Sequence, residues 1–192
     1  MEIALKEWAV VIEALARGRQ RFLLRKGGIA EGRQGFAIEH REFLLYPTWE
    51  HQHKASIRPA FQALFDEARP RRPGFVHFHY FAKVTDILVA PPRLEAMGAL
   101  ENDHVWSPAY LEMRYGYRPD RPLFVVLARL YRLPTDGETP EIARYAGCRS
   151  WVRLDEEIAV SGAAAIEPDD TFEVGRKSLL EKLLNQGARR ER

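Results

Sequence analysis

Along the first fifteen residues, Ile3, Leu5, Trp8, Val11, Ile12 and Leu15 recur at helical spacing, so the chain is expected to open on a helix. Gly18 stands where a C-cap would end it. Residues 19–25 are short, apolar at the centre and closed by Gly27-Gly28, which is the pattern of a strand. Gly27, Gly28, Gly32 and Gly35 mark a loop, and a second strand is expected from Phe36 to Tyr46, stopping at Pro47. With a loop of about ten residues between them, antiparallel pairing of these two strands is the default topology. Residues 54–68 place Ile57, Phe61, Leu64 and Phe65 on one face, which predicts a second helix ended by Arg-Pro-Arg-Arg-Pro.

From Phe75 to Ala90 the pattern changes to period two. Val76, Phe78, Tyr80, Ala82, Val84 and Leu88 share one face, with Phe75, His77, His79, Phe81, Lys83 and Thr85 on the other. The run is longer than a usual strand, so a bend or bulge is expected near Lys83. Pro91-Pro92 breaks it, and residues 93–100 predict a short helix. Residues 106–117, 123–133 and 151–154 read as further strands, with loops at 134–140 and 161–165. A closing helix is expected over about 170–186, with Asp169 or Thr171 as N-cap and Gly187 after its last turn. Strands and helices without strict βαβ alternation predict an α+β fold. The expected form is one domain over residues 1–192, a mixed, strongly bent sheet or small barrel flanked by three to four helices, the C-terminal one packing on it.

Composition narrows the classes. A chain with 46% hydrophobic and 29% charged residues is neither disordered nor fibrous. No apolar run approaches the roughly 20 residues that span a bilayer, and acids interrupt the first apolar stretch, so neither a membrane partner nor a signal peptide is expected. The single cysteine, Cys148, excludes an intramolecular disulfide framework and suits a reducing cytoplasm. It has no histidine near it in sequence and is expected to be inert. The net charge of +2 is near balance, but 23 arginines stand against 6 lysines. Arginine pairs bidentately with carboxylate or phosphate, which lysine does not; codon bias in a GC-rich genome would give the same ratio but would not give clustering. Residues 17–41 carry Arg17, Arg19, Arg21, Arg25, Lys26, Arg33 and Arg41 against Glu31 and Glu39 alone, a candidate anion-facing surface.

The candidate chemistry lies close by. At period two, His77 and His79 share a strand face, and His51 and His53 follow Pro47-Thr48-Trp49-Glu50. Together with Glu50, Glu39, Glu42 or His40 the two pairs would complete a site for a divalent metal such as zinc, iron or manganese. The alternative is half-buried strand histidines with local hydrogen bonds. Glu50 and His51 are candidate catalytic residues, since a carboxylate tunes a neighbouring imidazole for acid–base work. The glycine-rich loop after Arg25-Lys26 offers backbone N–H groups to a phosphate, although it lacks the Gly-x-x-x-x-Gly-Lys-Ser/Thr pattern and leads into a strand. The run from Arg114 to Arg121 mixes tyrosines with guanidiniums, a composition that stacks single-stranded bases. One concave site is expected to gather Arg19, Arg21, Arg25, Lys26, Gly27 and Gly28 with the segment Phe43 to His53, above all its turn of Tyr46, Thr48, Glu50, His51, Gln52 and His53. The competing reading is a helix cap, Thr48 or Glu50 closing the helix that follows.

Three segments carry a resemblance: Leu5-Lys-Glu-Trp8-Ala with Leu23-Leu-Arg-Lys-Gly-Gly-Ile29, then Phe43-Leu-Leu-Tyr-Pro-Thr48 with Glu50-His-Gln52. Over most of its length the chain resembles the bacterial family catalogued as domain of unknown function 1802. The resemblance implies a family label and a bacterial source, and no activity. In architecture, the helix, the strand from Gly18 to Arg25 and the bent sheet are similar to the ASCH and PUA-like barrels associated with RNA and modified bases. Leu23 stands where those barrels carry an acidic residue two before the arginine. Two functions are therefore expected in competition. One is a binding module whose face of Arg19, Arg21, Arg25, Lys26 and Arg33 holds a phosphate-bearing ligand or RNA. The other is a hydrolase-type enzyme, with or without metal, where residues 39–53 meet the strand of His77 and His79.

Overall fold

The computed structural model describes residues 1–26, 39–70, 72–147 and 149–191, and in it Ile3–Trp8 form a strand, β1, followed by helix α1 over Ala9–Ala16. The expected opening helix is corrected in its first half. Helical spacing over six residues does not distinguish a helix from a strand covered on both faces, and sheet pairing decides between them. Ala4–Trp8 runs parallel to Leu44–Thr48 of β3 (Glu42–Thr48), and Ile3–Leu5 runs antiparallel to β6 (Trp151–Arg153). The end of α1 is as expected: Gly18 follows the C-cap residue Arg17 with φ 64°.

The remaining main strands are β2 (Phe22–Arg25), β4 (Phe75–Val89) and β5 (Phe124–Pro140), in the order β2-β5-β4-β3-β1-β6. Two short strands, β7 (Ala164–Ala165) and β8 (Arg189–Arg190), pair with β5 and β4. The mixed sheet curls into a half-barrel and the fold is α+β. The expected hairpin between the second and third strands is corrected. Four-residue β2 lies against the apolar segment Phe124–Leu127, and both edges of β3 are taken by β1 and β4. The β4–β5 register shifts at Phe78/Tyr80 and again at Val84/Asp86, on either side of Lys83. Between the two shifts the ladder is regular, so Phe81 and Ala82 point to opposite faces, and both are buried because each face carries its own apolar cluster there. Residues 134–140, expected as a loop, extend β5 against the start of β4.

Residues 106–117, expected as a strand, contain helix α3 (Pro108–Gly116). Its start is set by Ser107, whose hydroxyl accepts the Tyr110 N–H at 3.3 Å, and by Pro108 in the first turn. The expected helix over 54–68 is broken by Pro59 into two 3-10 turns and helix α2 (Gln62–Glu67). The closing helix, α4 (Asp169–Asn185), is capped by Pro168 and not by Asp169 or Thr171, with Gly187 at φ 90° beyond its C-cap. Ion pairs fasten it in place: Arg176 with Asp86 of β4 at 3.3 Å, Lys182 with Asp103 at 2.8 Å, and, just before the helix, Glu167 with Arg21 at 2.7 Å. Among the described residues no helix is long and apolar enough to cross a membrane.

Candidate functional site: a basic cleft at the parallel strand ends

Because β1 and β3 are parallel, their carboxyl ends lie side by side, Glu7 next to Pro47 and Trp8 next to Thr48. The chain then diverges, from β1 into α1 and from β3 into the turn at Trp49–Gln52. Such divergence opens a crevice beyond the strand ends, the position where open sheets present ligand-facing groups. Here it is a cleft of about 450 Å³. Lys6 and Glu7 come from β1, Leu24 and Arg25 from β2 with Lys26 just after it, Tyr110, Met113 and Arg114 from α3, and Arg149 from the segment before β6.

Lys6 and Glu7 are buried, and buried charges require partners. The Lys6 ammonium donates to the Gly147 carbonyl at 3.2 Å and lies 5.4 Å from the Tyr46 ring centroid. One Glu7 oxygen accepts the Trp8 N–H at 2.7 Å and the other pairs with Arg25 at 3.0 Å. Arg25 also donates to the Lys6 carbonyl at 2.6 Å, which ties β2 to β1 across the cleft floor. Lys26, only 4% exposed, donates to the carbonyls of Arg114 at 3.1 Å and Tyr115 at 2.7 Å. Those carbonyls end α3, where the helix dipole favours a cation. Burial lowers the Lys26 pKa, the Arg114 cation lowers it further, and Asp120 pulls the other way. Arg114 has no carboxylate partner among the described residues, and its Nε is buried without an acceptor. The lining therefore carries Lys6, Arg25, Lys26, Arg114 and Arg149 against Glu7 and Glu50, with Glu7 already engaged by Arg25.

Of the residues expected in a concave site, Arg25, Lys26, Thr48, Glu50, His51 and His53 line this one cleft. Gly27, Gly28 and Arg33 lie outside the described residues. Tyr46 sits beneath the floor, buried against Phe78, and its burial raises the phenol pKa. Gln52 turns away from the cleft to cap α1, its side-chain oxygen accepting the Val10 N–H at 3.1 Å. Arg19 and Arg21 border a separate pocket of about 140 Å³. Arg19 covers the Phe61 ring at 4.1 Å, and Arg21 pairs with Glu167 while packing so close to Gly175 that a Cβ there would lie 2.7 Å from its Cζ.

The helix-cap alternative is corrected as well. The 3-10 turn Lys54–Ser56 has no side-chain cap, and the Thr48 hydroxyl accepts instead from the Glu50 N–H at 3.2 Å. His51 adopts φ 58°, a left-handed conformation that a non-glycine residue seldom takes. His51→Val is expected to lower stability by about 1–2 kcal/mol and His51→Gly to leave it unchanged or raised, measured by chemical denaturation.

The two histidine pairs do not meet. His77 and His79 line another cleft, of about 290 Å³, together with Pro47 and Trp49. There their rings stack at 6.4 Å, His77 faces Glu138 at 3.3 Å, and His79 faces Asp136 at 2.9 Å across the β4–β5 ladder. Burial raises the Asp136 pKa, but hydrogen bonds from His79 and Arg132 outweigh it and hold the carboxyl below its usual value. Among the described residues no three His, Cys, Asp or Glu side chains converge as metal ligands, and of the expected metal ligands His51 and His53 line one cleft while His77 and His79 line the other. The turn after β3 delivers Trp49 to one cleft and Glu50, His51 and His53 to the other.

Sequence reasoning misses Lys6, Glu7, Trp8, Tyr110, Met113 and Arg149 as site residues. The signal for the first two was a charged pair inside an apolar run. Arg114 belongs to the arginine–tyrosine run, placed there on a strand. No curated protein and no solved structure matches the chain significantly. One family model does, described as Domain of unknown function (DUF1802), over residues 4–178, and the chain belongs to that family.

Proposed function

We propose that this member of the DUF1802 family is a binding module for a phosphate-bearing ligand, RNA included, held in the cleft of Lys6, Arg25, Lys26, Arg114 and Arg149. The observation that carries the reading is the half-buried Arg114, without a carboxylate partner among the described residues, beside the buried Lys26 ammonium. Two like charges held together out of water repel, and an anion between them relieves that repulsion. A guanidinium also suits phosphate geometry, taking two oxygens at once.

Fluorescence anisotropy with a labelled single-stranded RNA tests this. Affinity is expected to fall roughly tenfold between about 50 and 200 mM salt, the response to a few phosphate contacts. Arg114→Glu is expected to weaken binding by about tenfold or more, while Arg19→Glu, outside the cleft, changes it less than about twofold. Binding that ignores salt, or that Arg19→Glu weakens as much as Arg114→Glu, refutes the cleft as the site.

A hydrolytic reading rests on Glu50, His51 and His53 at the rim of the same cleft, with His51 held in its left-handed conformation. Neither Glu50 nor His51 caps a helix, so alanine at either is expected to change stability by no more than about 0.5–1 kcal/mol. Phosphodiester turnover that survives both substitutions rejects this reading, and turnover lost with the melting temperature intact supports it.

A further inference from the structure

We propose that the ligand is a nucleotide unit, its base lying on the apolar wall formed by Trp8, Tyr110 and Met113 and its phosphate meeting Arg114 and Arg149; this rests on the phosphate reading above. The cations occupy only part of the cleft. Tyr110, Met113 and Arg114 stand at positions i, i+3 and i+4 of α3, so an aromatic ring, a thioether and a guanidinium share one helix face. Beside them the Trp8 ring lies 4.6 Å from the Tyr110 centroid, tilted by 45°. Met113 is 51% exposed and, with Val174 and Leu184, is one of the few large apolar side chains that the described residues leave to solvent. Of those three, Met113 alone lines the cleft.

An inorganic anion would use the cations and leave this wall in contact with water. A nucleotide uses both, because its phosphate matches the guanidiniums and its base offers a flat π-face to aromatic and sulfur atoms. The volume of about 450 Å³ falls within the ordinary range for small-molecule sites. A polypeptide carboxylate would match the charge and would leave the apolar wall adjoining it uncovered. The same chemistry is offered by a free nucleotide and by one residue of a single-stranded RNA.

Isothermal titration with inorganic phosphate, ribose 5-phosphate, AMP, UMP and a single-stranded tetranucleotide separates the alternatives. AMP and UMP are expected to bind at least about tenfold more tightly than ribose 5-phosphate, the contribution of one stacked base. Met113→Ser, an exposed substitution with its fold checked by melting temperature, is expected to reduce that preference by about threefold or more and leave inorganic phosphate within about twofold. Equal affinity for ribose 5-phosphate and the nucleotides overturns the nucleotide inference and leaves the phosphate reading standing. Nucleotide preference that Met113→Ser leaves intact overturns the placement of the base. No binding by any probe rejects both readings. A tetranucleotide bound about tenfold more tightly than AMP supports recognition within a chain, and equal binding supports a free nucleotide.

Discussion

Asp86→Ala is expected to destabilise the protein by about 2–4 kcal/mol, the penalty for removing one member of a largely buried ion cluster. Asp86 sits on β4 at the second bulge, and its carboxylate is buried between Arg190 at 3.0 Å and Arg176 at 3.3 Å. Those two arginines belong to β8 and α4, so one carboxylate ties the C-terminal helix and the strand after it to the middle of the sheet. Without it, Arg176 is left half-buried and unpaired except for Glu173 one turn earlier, at 3.6 Å. In a chain of this size the loss corresponds to a fall of roughly 5–12 °C in melting temperature. Arg190→Ala, which removes a largely exposed partner, is expected to cost less than about 1 kcal/mol. Equal effects of the two substitutions in a thermal melt would contradict this account of the clasp.

The second large effect is a loss of stability in mild acid, traced to His104. This side chain is wholly buried between Phe22, at 6.2 Å between ring centroids, and Trp106, at 5.5 Å. Burial, and the nearby Arg58 guanidinium, push its pKa from 6.5 down to about 4. In the unfolded chain the imidazole protonates near its ordinary value, so over this window the unfolded state binds more protons than the native one. His104 thus leaves stability untouched above pH 6.5 and lowers it progressively down to about pH 4, by up to about 3 kcal/mol. Denaturation at about pH 7 and about pH 4 measures the difference. In His104→Leu, where nothing titrates at that position, most of the difference is expected to vanish; a variant with the same pH dependence as the natural chain would show that other groups are responsible.

The α+β class, the long bulged β4 and the closing α4 are legible in the sequence, because each rests on a local pattern; Arg25 and Lys26 do line one cleft with Glu50, His51 and His53, but not through the strand pairing from which a shared site was expected. What fails is pairing. Ile3–Trp8 carries a helix-like spacing, and only β3 and β6 on its two sides make it a strand, a fact that residues 3–8 do not contain. The position of β3 between β1 and β4 likewise follows from distant segments and not from the short loop after β2. Arg19 and Arg21 illustrate the same gap in the site: they are close to Arg25 in sequence, but Phe61 and Glu167 engage them elsewhere. A run of cations that is continuous in sequence is therefore divided between two places in the fold. Ser107-Pro108 was a readable helix start, overridden by the aromatic and β-rich look of the residues that follow.

The central claim is that the cleft at the ends of β1 and β3, and no other basic surface, receives an anion. Backbone amide chemical shifts of the natural chain, followed while inorganic phosphate is titrated in at low ionic strength, test it most directly. The account predicts saturable shifts confined to residues 6–8, 24–26, 48–53, 110–115 and 147–150, and their loss in Arg114→Glu. Shifts centred instead on Arg19 and Arg21, or no saturable shift at all, would contradict it.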